Sequence, residues 1–187
     1  MLTRRLVSPC TVTVLTLLLV ATSVNLVAVF CWSNGGFSDD PSNPKYGTHD
    51  WVAQHALDWL PLSEKRFILD NLVTYLYGTE LPDNGGAPDG IGDTTKHHVY
   101  YFDNGSLQED DSAVRAQEEY FTAAGLFKDG GLANASKTLG VMSHYLSDVA
   151  VFAHVMGNKT DWGNATHHSD YEDYVNTRTN NYTAEFS

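Results

Sequence analysis

The chain has 187 residues, 18% of them charged, with 23 acidic against 11 basic side chains and a formal net charge of −12. A balance this acidic excludes a duplex-binding protein, whose affinity comes largely from Lys and Arg neutralising phosphates. Both cysteines, Cys10 and Cys31, lie in the first 31 residues, so the remaining chain must be held by packing or metal rather than by disulfides.

Arg4 and Arg5 give a basic start, and an apolar run from about Val12 to Phe30 follows, diluted by Thr13, Thr16, Thr22, Ser23 and Asn25. The pattern predicts a signal peptide over residues 1–31, cut just before Trp32. The run exceeds the usual h-region of roughly 7–15 residues, which leaves an uncleaved membrane anchor open. Cleavage would leave 156 residues, 32–187, enough for one domain, with 9 basic and 23 acidic side chains and a charge of −14. Asn-x-Ser/Thr sequons at Asn104, Asn134, Asn158, Asn164 and Asn181 fall after the leader and none within it, as expected of a secreted, extracellular glycoprotein.

Residues 32–46 are rich in Gly, Pro, Ser, Asn and Asp and predict an irregular lead-in. Thr48 is placed to cap a helix over residues 49–60 that Pro61 ends. Ser63 opens a second, with Phe67, Ile68, Leu72, Tyr75 and Leu76 at helical spacing and Gly78 as its stop. Residues 79–97 read as a long loop, a length usually tied to function. A brief strand is expected around Val99–Phe102.

A third helix is predicted over residues 112–128, with Ala113, Ala116, Tyr120, Ala124 and Phe127 inward and Gly130-Gly131 as the stop. The fourth covers about 135–153, with Leu139, Met142, Leu146 and Val149 as its apolar stripe, and the fifth about 168–177. Trp51, Trp59, Tyr75, Tyr120 and Tyr145 are expected as core aromatics, and Glu109-Asp110-Asp111 and Glu118-Glu119 as solvated acids. The expected fold class is all-α, a multi-helix bundle with a polar, metal-filled interior.

The chemistry concentrates in His144-x3-Asp148-x5-His154 and His168-x3-Glu172. Residues i and i+4 share a helix face, so each pair can converge on one point. Zinc accepts imidazole nitrogen and carboxylate oxygen, and a catalytic site keeps a position open for water. Two such pairs with His154 between them predict more than one ion.

These residues resemble the zinc-dependent phospholipase C family of bacteria, related to the S1/P1 nucleases. Residues 139–154 match its central helix motif, and Thr166-His-His-Ser-Asp-Tyr-Glu172 its final His-x3-Glu. Gly47-Thr-His49-Asp-Trp is similar to the early ligand region, Lys96-His-His98-Val-Tyr-Tyr to the second, and Gly78-Thr-Glu-Leu-Pro-Asp83 to the stretch supplying an early Asp. The resemblance implies an all-α bundle around three zinc ions. Asp83, His98, His144 and Asp148 would hold the first. Trp32, through its freed α-amino group and carbonyl, would hold the second with His49 and the other oxygen of Asp148. His154, His168 and Glu172 would hold the third. Glu80 remains a rival to Asp83, while His55, His97 and His167 are expected as neighbours rather than ligands.

The function implied is a phosphodiester hydrolase acting on glycerophospholipids at a membrane surface, by attack of a zinc-bound water on phosphorus. Asp83 would be the catalytic residue that orients or deprotonates that water. Three Zn²⁺ against Asp83, Asp148 and Glu172 leave a positive centre suited to phosphate. A single-strand nuclease or 3′-nucleotidase of the S1/P1 type is an alternative reading, and a non-catalytic membrane-anchored metal-binding module another. No obligate protein partner is expected. Asn34-Gly35 and Thr95 stand where choline-cleaving members carry acidic and aromatic residues, so a choline headgroup gains no support from the sequence.

Overall fold

The computed structural model describes residues 38, 40–102, 104–155, 165–179 and 181. The predicted leader and Trp32 lie outside the described residues. Six α-helices make up most of the rest: α1 (Thr48–Ala56), α2 (Leu62–Leu69), α3 (Leu72–Glu80), α4 (Asp111–Lys128), α5 (Leu132–Asp148) and α6 (Ala165–Asn176). The all-α expectation holds. One two-stranded antiparallel ribbon, β1 (Tyr100–Tyr101) and β2 (Leu107–Glu109), interrupts them, with Tyr100 opposite Glu109. Its first strand is the segment anticipated around Val99–Phe102; the second was not anticipated. Among the described residues no helix is long and apolar enough to cross a membrane.

The N-terminus of α1 differs from its sequence reading. Gly47, not Thr48, is the N-cap, and the Asp50 carboxylate accepts the Gly47 N–H at 2.9 Å. Thr48 instead enters the first turn, where its hydroxyl meets that of Thr179 at 2.9 Å and ties α1 to the segment after α6. Beyond Ala56 the helix tightens into a 3₁₀ turn, Leu57–Trp59, before Pro61.

The single helix expected after Ser63 is two. Asn71 leaves helical geometry, and its side-chain amide donates to the Phe67 carbonyl at 2.7 Å, taking an acceptor that continuing backbone would have used. Gly78 does not end α3 but lies within it, where α3 meets α5. A Cβ on Gly78 would sit 2.1 Å from the Lys137 carbonyl oxygen, and one on Gly140 2.0 Å from that of Tyr75. Glycine at both positions lets the two backbones touch.

This crossing splits the apolar interior into two clusters. Ala53, Leu57, Ile68, Tyr75 and Leu76 pack on one side, and Tyr77, Leu81, Ala116, Val141 and Tyr145 on the other. Between them α5 buries a polar face containing His144, Ser147 and Asp148. Its expected apolar stripe is therefore displaced, and Leu146 stays 50% exposed. The inward face of α4 is Ser112, Ala116 and Ala123, small residues suited to close approach, whereas Tyr120 (54% exposed) and Phe127 lie at the surface. Of the expected core aromatics Tyr75 and Tyr145 are buried and Trp59 is 80% exposed.

Candidate metal centre

Residues 79–97 are tied down rather than loose. The Ile91 and Gly92 N–H groups both donate to the Leu81 carbonyl, and Gly92 takes φ +65°, which suits glycine. The Tyr77 hydroxyl donates to Asp89 at 2.8 Å, and Lys137 of α5 pairs with the same carboxylate. This loop carries Asp83 and, through a 3₁₀ turn at Thr94–Lys96, His97 to the buried face of α5. His49 arrives from α1, His154 from the 3₁₀ turn after α5, and His168 and Glu172 from α6.

Three groups of ligand-type side chains result: His49, His144 and Asp148; Asp83, His97 and His144; and His154, His168 and Glu172. Asp148 reaches two of them with different oxygens. Oδ1 is 3.4 Å from His49 Nε2, while Oδ2 is 3.2 Å from His144 Nε2 and 3.1 Å from His97 Nδ1. Asp83 Oδ1 lies 3.5 Å from His97 Nδ1 and 3.7 Å from His144 Nε2. In the third group His154 Nε2 and His168 Nε2 are 2.7 Å apart, and Glu172 Oε1 is 2.6 Å from His168 Nε2.

Hydrogen bonds at the outer ring nitrogens set which way the imidazoles face. His144 Nδ1 donates to the Thr79 carbonyl at 2.6 Å, and His154 Nδ1 to the His97 carbonyl at 2.6 Å. The Ser147 hydroxyl donates to the His144 carbonyl, so it accepts from His49 Nδ1 at 2.7 Å. A neutral imidazole carries one ring proton, so in all three rings Nε2 is left as a lone pair aimed inward. Two lone-pair nitrogens and a carboxylate converging within a few ångströms are what a cation would bring together. The buried His49 Nε2, both oxygens of Asp148 and both of Glu172 have no hydrogen-bond partner among the described residues. Such groups are costly in a fold unless an ion satisfies them. The donor set fits zinc.

Electrostatics in the absence of an ion agree. Burial and the neighbouring His144 hold His49 well below its usual range, and burial brings His154 down to about 3. Burial also pushes Glu172 up to about 10, helped by Asp148 and Asp83. The third group thus favours a neutral carboxyl until a positive charge arrives. His97 shows the converse: burial opposes its charge, yet Asp148, Asp93 and Asp83 together push it up to about 10. A protonated imidazole there stands in for the cation that these carboxylates demand.

In the second segment the structure groups a different imidazole from the one expected. His97, read from the sequence as a neighbour, occupies the position expected of His98. His98 belongs to none of the three groups among the described residues; its ring stacks on Tyr100 at 4.6 Å and packs 4.9 Å from His154. The signal was present: Asp93-x3-His97 repeats the i, i+4 spacing of His144 and Asp148, and His97 Nε2 faces Asp93 Oδ1 at 3.6 Å. Glu80, the rival to Asp83, points elsewhere and binds the N–H groups of Ser38 at 2.8 Å and Lys45 at 2.7 Å. His55 pairs with Asp58 at 3.0 Å on the surface, away from the three groups, and the side chain of His167 lies outside the described set.

A family model described as zinc-dependent phospholipase C matches residues 48–186. The chain belongs to that family. The match spans every candidate ligand except Trp32 and supports a hydrolase that uses zinc and acts on phospholipid. Neither a curated protein nor a solved structure matches the chain.

Proposed function

We propose that this chain is an exported zinc-dependent phospholipase C that hydrolyses glycerophospholipids to diacylglycerol and a phosphorylated headgroup. The observation that carries the reading is a set of three His/carboxylate groups, two of them linked through Asp148, with ring nitrogens turned inward by their outer hydrogen bonds. In this reading Asp83, His97, His144 and Asp148 hold one ion. His49 and Asp148 hold a second, completed by the α-amino group of Trp32 after leader removal. His154, His168 and Glu172 hold the third.

When bound, zinc supplies positive charge for the phosphoryl oxygens and makes a nearby water more acidic. The chain's own residues do the rest. The Asp148 carboxylate, held well below its usual range by His144 and His49 against the effect of burial, stays ionised and ties two groups into one rigid unit. The Asp83 side chain is buried beside His97 and His144, within reach of the same centre, and is the carboxylate placed to take a proton from the attacking water. A water attacks phosphorus and gives a proton to Asp83. The bond between phosphorus and the glycerol oxygen breaks, and the diacylglycerol oxygen leaves and takes up a proton. Neither covalent intermediate nor Ser or Cys nucleophile is required.

The test is diacylglycerol release from phosphatidylcholine and phosphatidylethanolamine vesicles, beside degradation of single-stranded DNA, each with chelator and after zinc is restored. Chelator-sensitive, zinc-restored lipid cleavage is expected. Cleavage of the DNA with no release from either lipid would overturn the proposed substrate class.

A further inference from the structure

We infer that Asp93 is a positioning residue for the metal centre: anchored by Tyr145 and Arg115, it orients the His97 ring and so sets the zinc affinity of the Asp83, His97 and His144 group. The inference rests on the metal reading above.

His97 differs from the other inward-facing rings. His49, His144 and His154 turn Nε2 to the centre and hold a neutral oxygen with Nδ1. His97 is reversed, with Nδ1 facing Asp148 Oδ2 at 3.1 Å and Asp83 Oδ1 at 3.5 Å, and Nε2 facing Asp93 Oδ1 at 3.6 Å. To offer Nδ1 to a cation, this ring must keep its proton on Nε2, and Asp93 is the carboxylate facing that proton. A charged acceptor fixes the tautomer more firmly than a carbonyl does and makes the ring a stronger donor to metal. At 3.6 Å the approach is an ion-pair contact rather than a hydrogen bond, so Asp93 acts on the ring chiefly through its charge.

Asp93 is itself pinned from two helices. The Tyr145 hydroxyl donates to its Oδ1 at 2.7 Å, and Arg115 Nε donates to its Oδ2 at 3.0 Å. Arg115 is held in turn by Glu118 at 2.8 Å and Glu119 at 2.7 Å, acids the sequence suggested were merely solvated. Tyr145 is fully buried and follows His144 in α5, so one helix turn delivers both a candidate ligand and the anchor of another ligand's partner. The Ser112 hydroxyl donates to the Tyr145 carbonyl at 2.8 Å, and the Ser112 N–H to the His98 carbonyl at 3.0 Å. The segment bearing His97 is thus fixed on both sides of the ring.

Zinc content measured by mass spectrometry on the purified protein, dialysed against graded chelator, tests this directly. Asp93→Asn keeps the shape and removes the charge. It is expected to lose about one zinc equivalent at chelator levels that leave the wild type filled, a weakening of roughly 10–100-fold, with the other equivalents and the helical circular dichroism unchanged. Tyr145→Phe, which deletes one donor to Asp93, should weaken the same equivalent by less. Nitrogen chemical shifts of the His97 ring should report a proton on Nε2 and none on Nδ1 in the zinc-loaded wild type. Unchanged zinc retention in Asp93→Asn overturns the inference. If Asp93→Asn does not fold, Tyr145→Phe decides, and wild-type retention in that variant also overturns it. A wild-type protein that takes up no zinc would instead refute the metal reading and this inference together.

Discussion

Glu172→Gln should stabilise the zinc-free protein, although it removes a candidate ligand. Without an ion, burial pushes the Glu172 carboxyl from its ordinary 4.5 up to about 10. Between those values the folded state holds a proton that the unfolded chain has released. Stability is therefore full below pH 4.5 and is lost as pH rises, by about 1.4 kcal/mol per pH unit. At pH 7 the loss comes to about 3 kcal/mol, a large share of an ordinary domain's stability. Glutamine has nearly the same shape, does not ionise, and can donate to His168 Nε2 from the position where Glu172 Oε1 now lies 2.6 Å away.

Urea denaturation in chelator should therefore show Glu172→Gln more stable than wild type by about 3 kcal/mol at pH 7, with the two curves coinciding near pH 4. Zinc offsets the advantage. At a free concentration 100 times the site's Kd the ion adds about 2.7 kcal/mol to the wild type, and a variant that cannot hold it gains nothing there. The two proteins should then converge. A variant less stable than wild type in chelator at pH 7, or a difference that does not change with pH, would refute the reasoning. So would a full zinc-induced gain in the variant.

Three further outcomes follow from the geometry. His97→Ala should lower zinc content by about one equivalent, whereas His98→Ala should leave it unchanged, and mass spectrometry after mild chelation distinguishes them. Gly140→Ala drives a Cβ to 2.0 Å from the Tyr75 carbonyl oxygen, so it should cost at least about 2 kcal/mol and lower Tm by roughly 5–10 °C in a thermal melt. Asp83→Asn should reduce kcat on phospholipid vesicles by about 10²-fold or more, and the deficit should persist when excess zinc restores the metal content. Full recovery on adding zinc would assign Asp83 to binding alone.

The convergence of candidate ligands was legible in the sequence where a helix converts i, i+4 into proximity. His144 with Asp148 and His168 with Glu172 needed only that rule. The choice between His97 and His98 was not legible from such a rule, since neighbouring residues on an irregular segment can point either way. In the structure His97 turns toward Asp148 and Asp83, on a segment that α4 and α5 hold, with Asp93 beside the ring. The expected apolar stripes failed for a related reason. They assume that the face turned inward is the apolar one, and in α5 the inward face is His144, Ser147 and Asp148.

Gly78 shows how a local signal can be right about the residue and wrong about its use. As a helix stop it explained nothing beyond α3. As half of a backbone crossing with Gly140, it accounts for why the Thr79 carbonyl comes within 2.6 Å of His144 Nδ1. That contact turns Nε2 toward Asp148, so the packing of two glycines governs the direction of a lone pair. A larger residue at either position would separate the helices and remove the acceptor that fixes the ring. In this protein the close approach of two helices and the chemistry of the centre are therefore one constraint, and a substitution that relieves the first should release metal as well as lower the melting temperature.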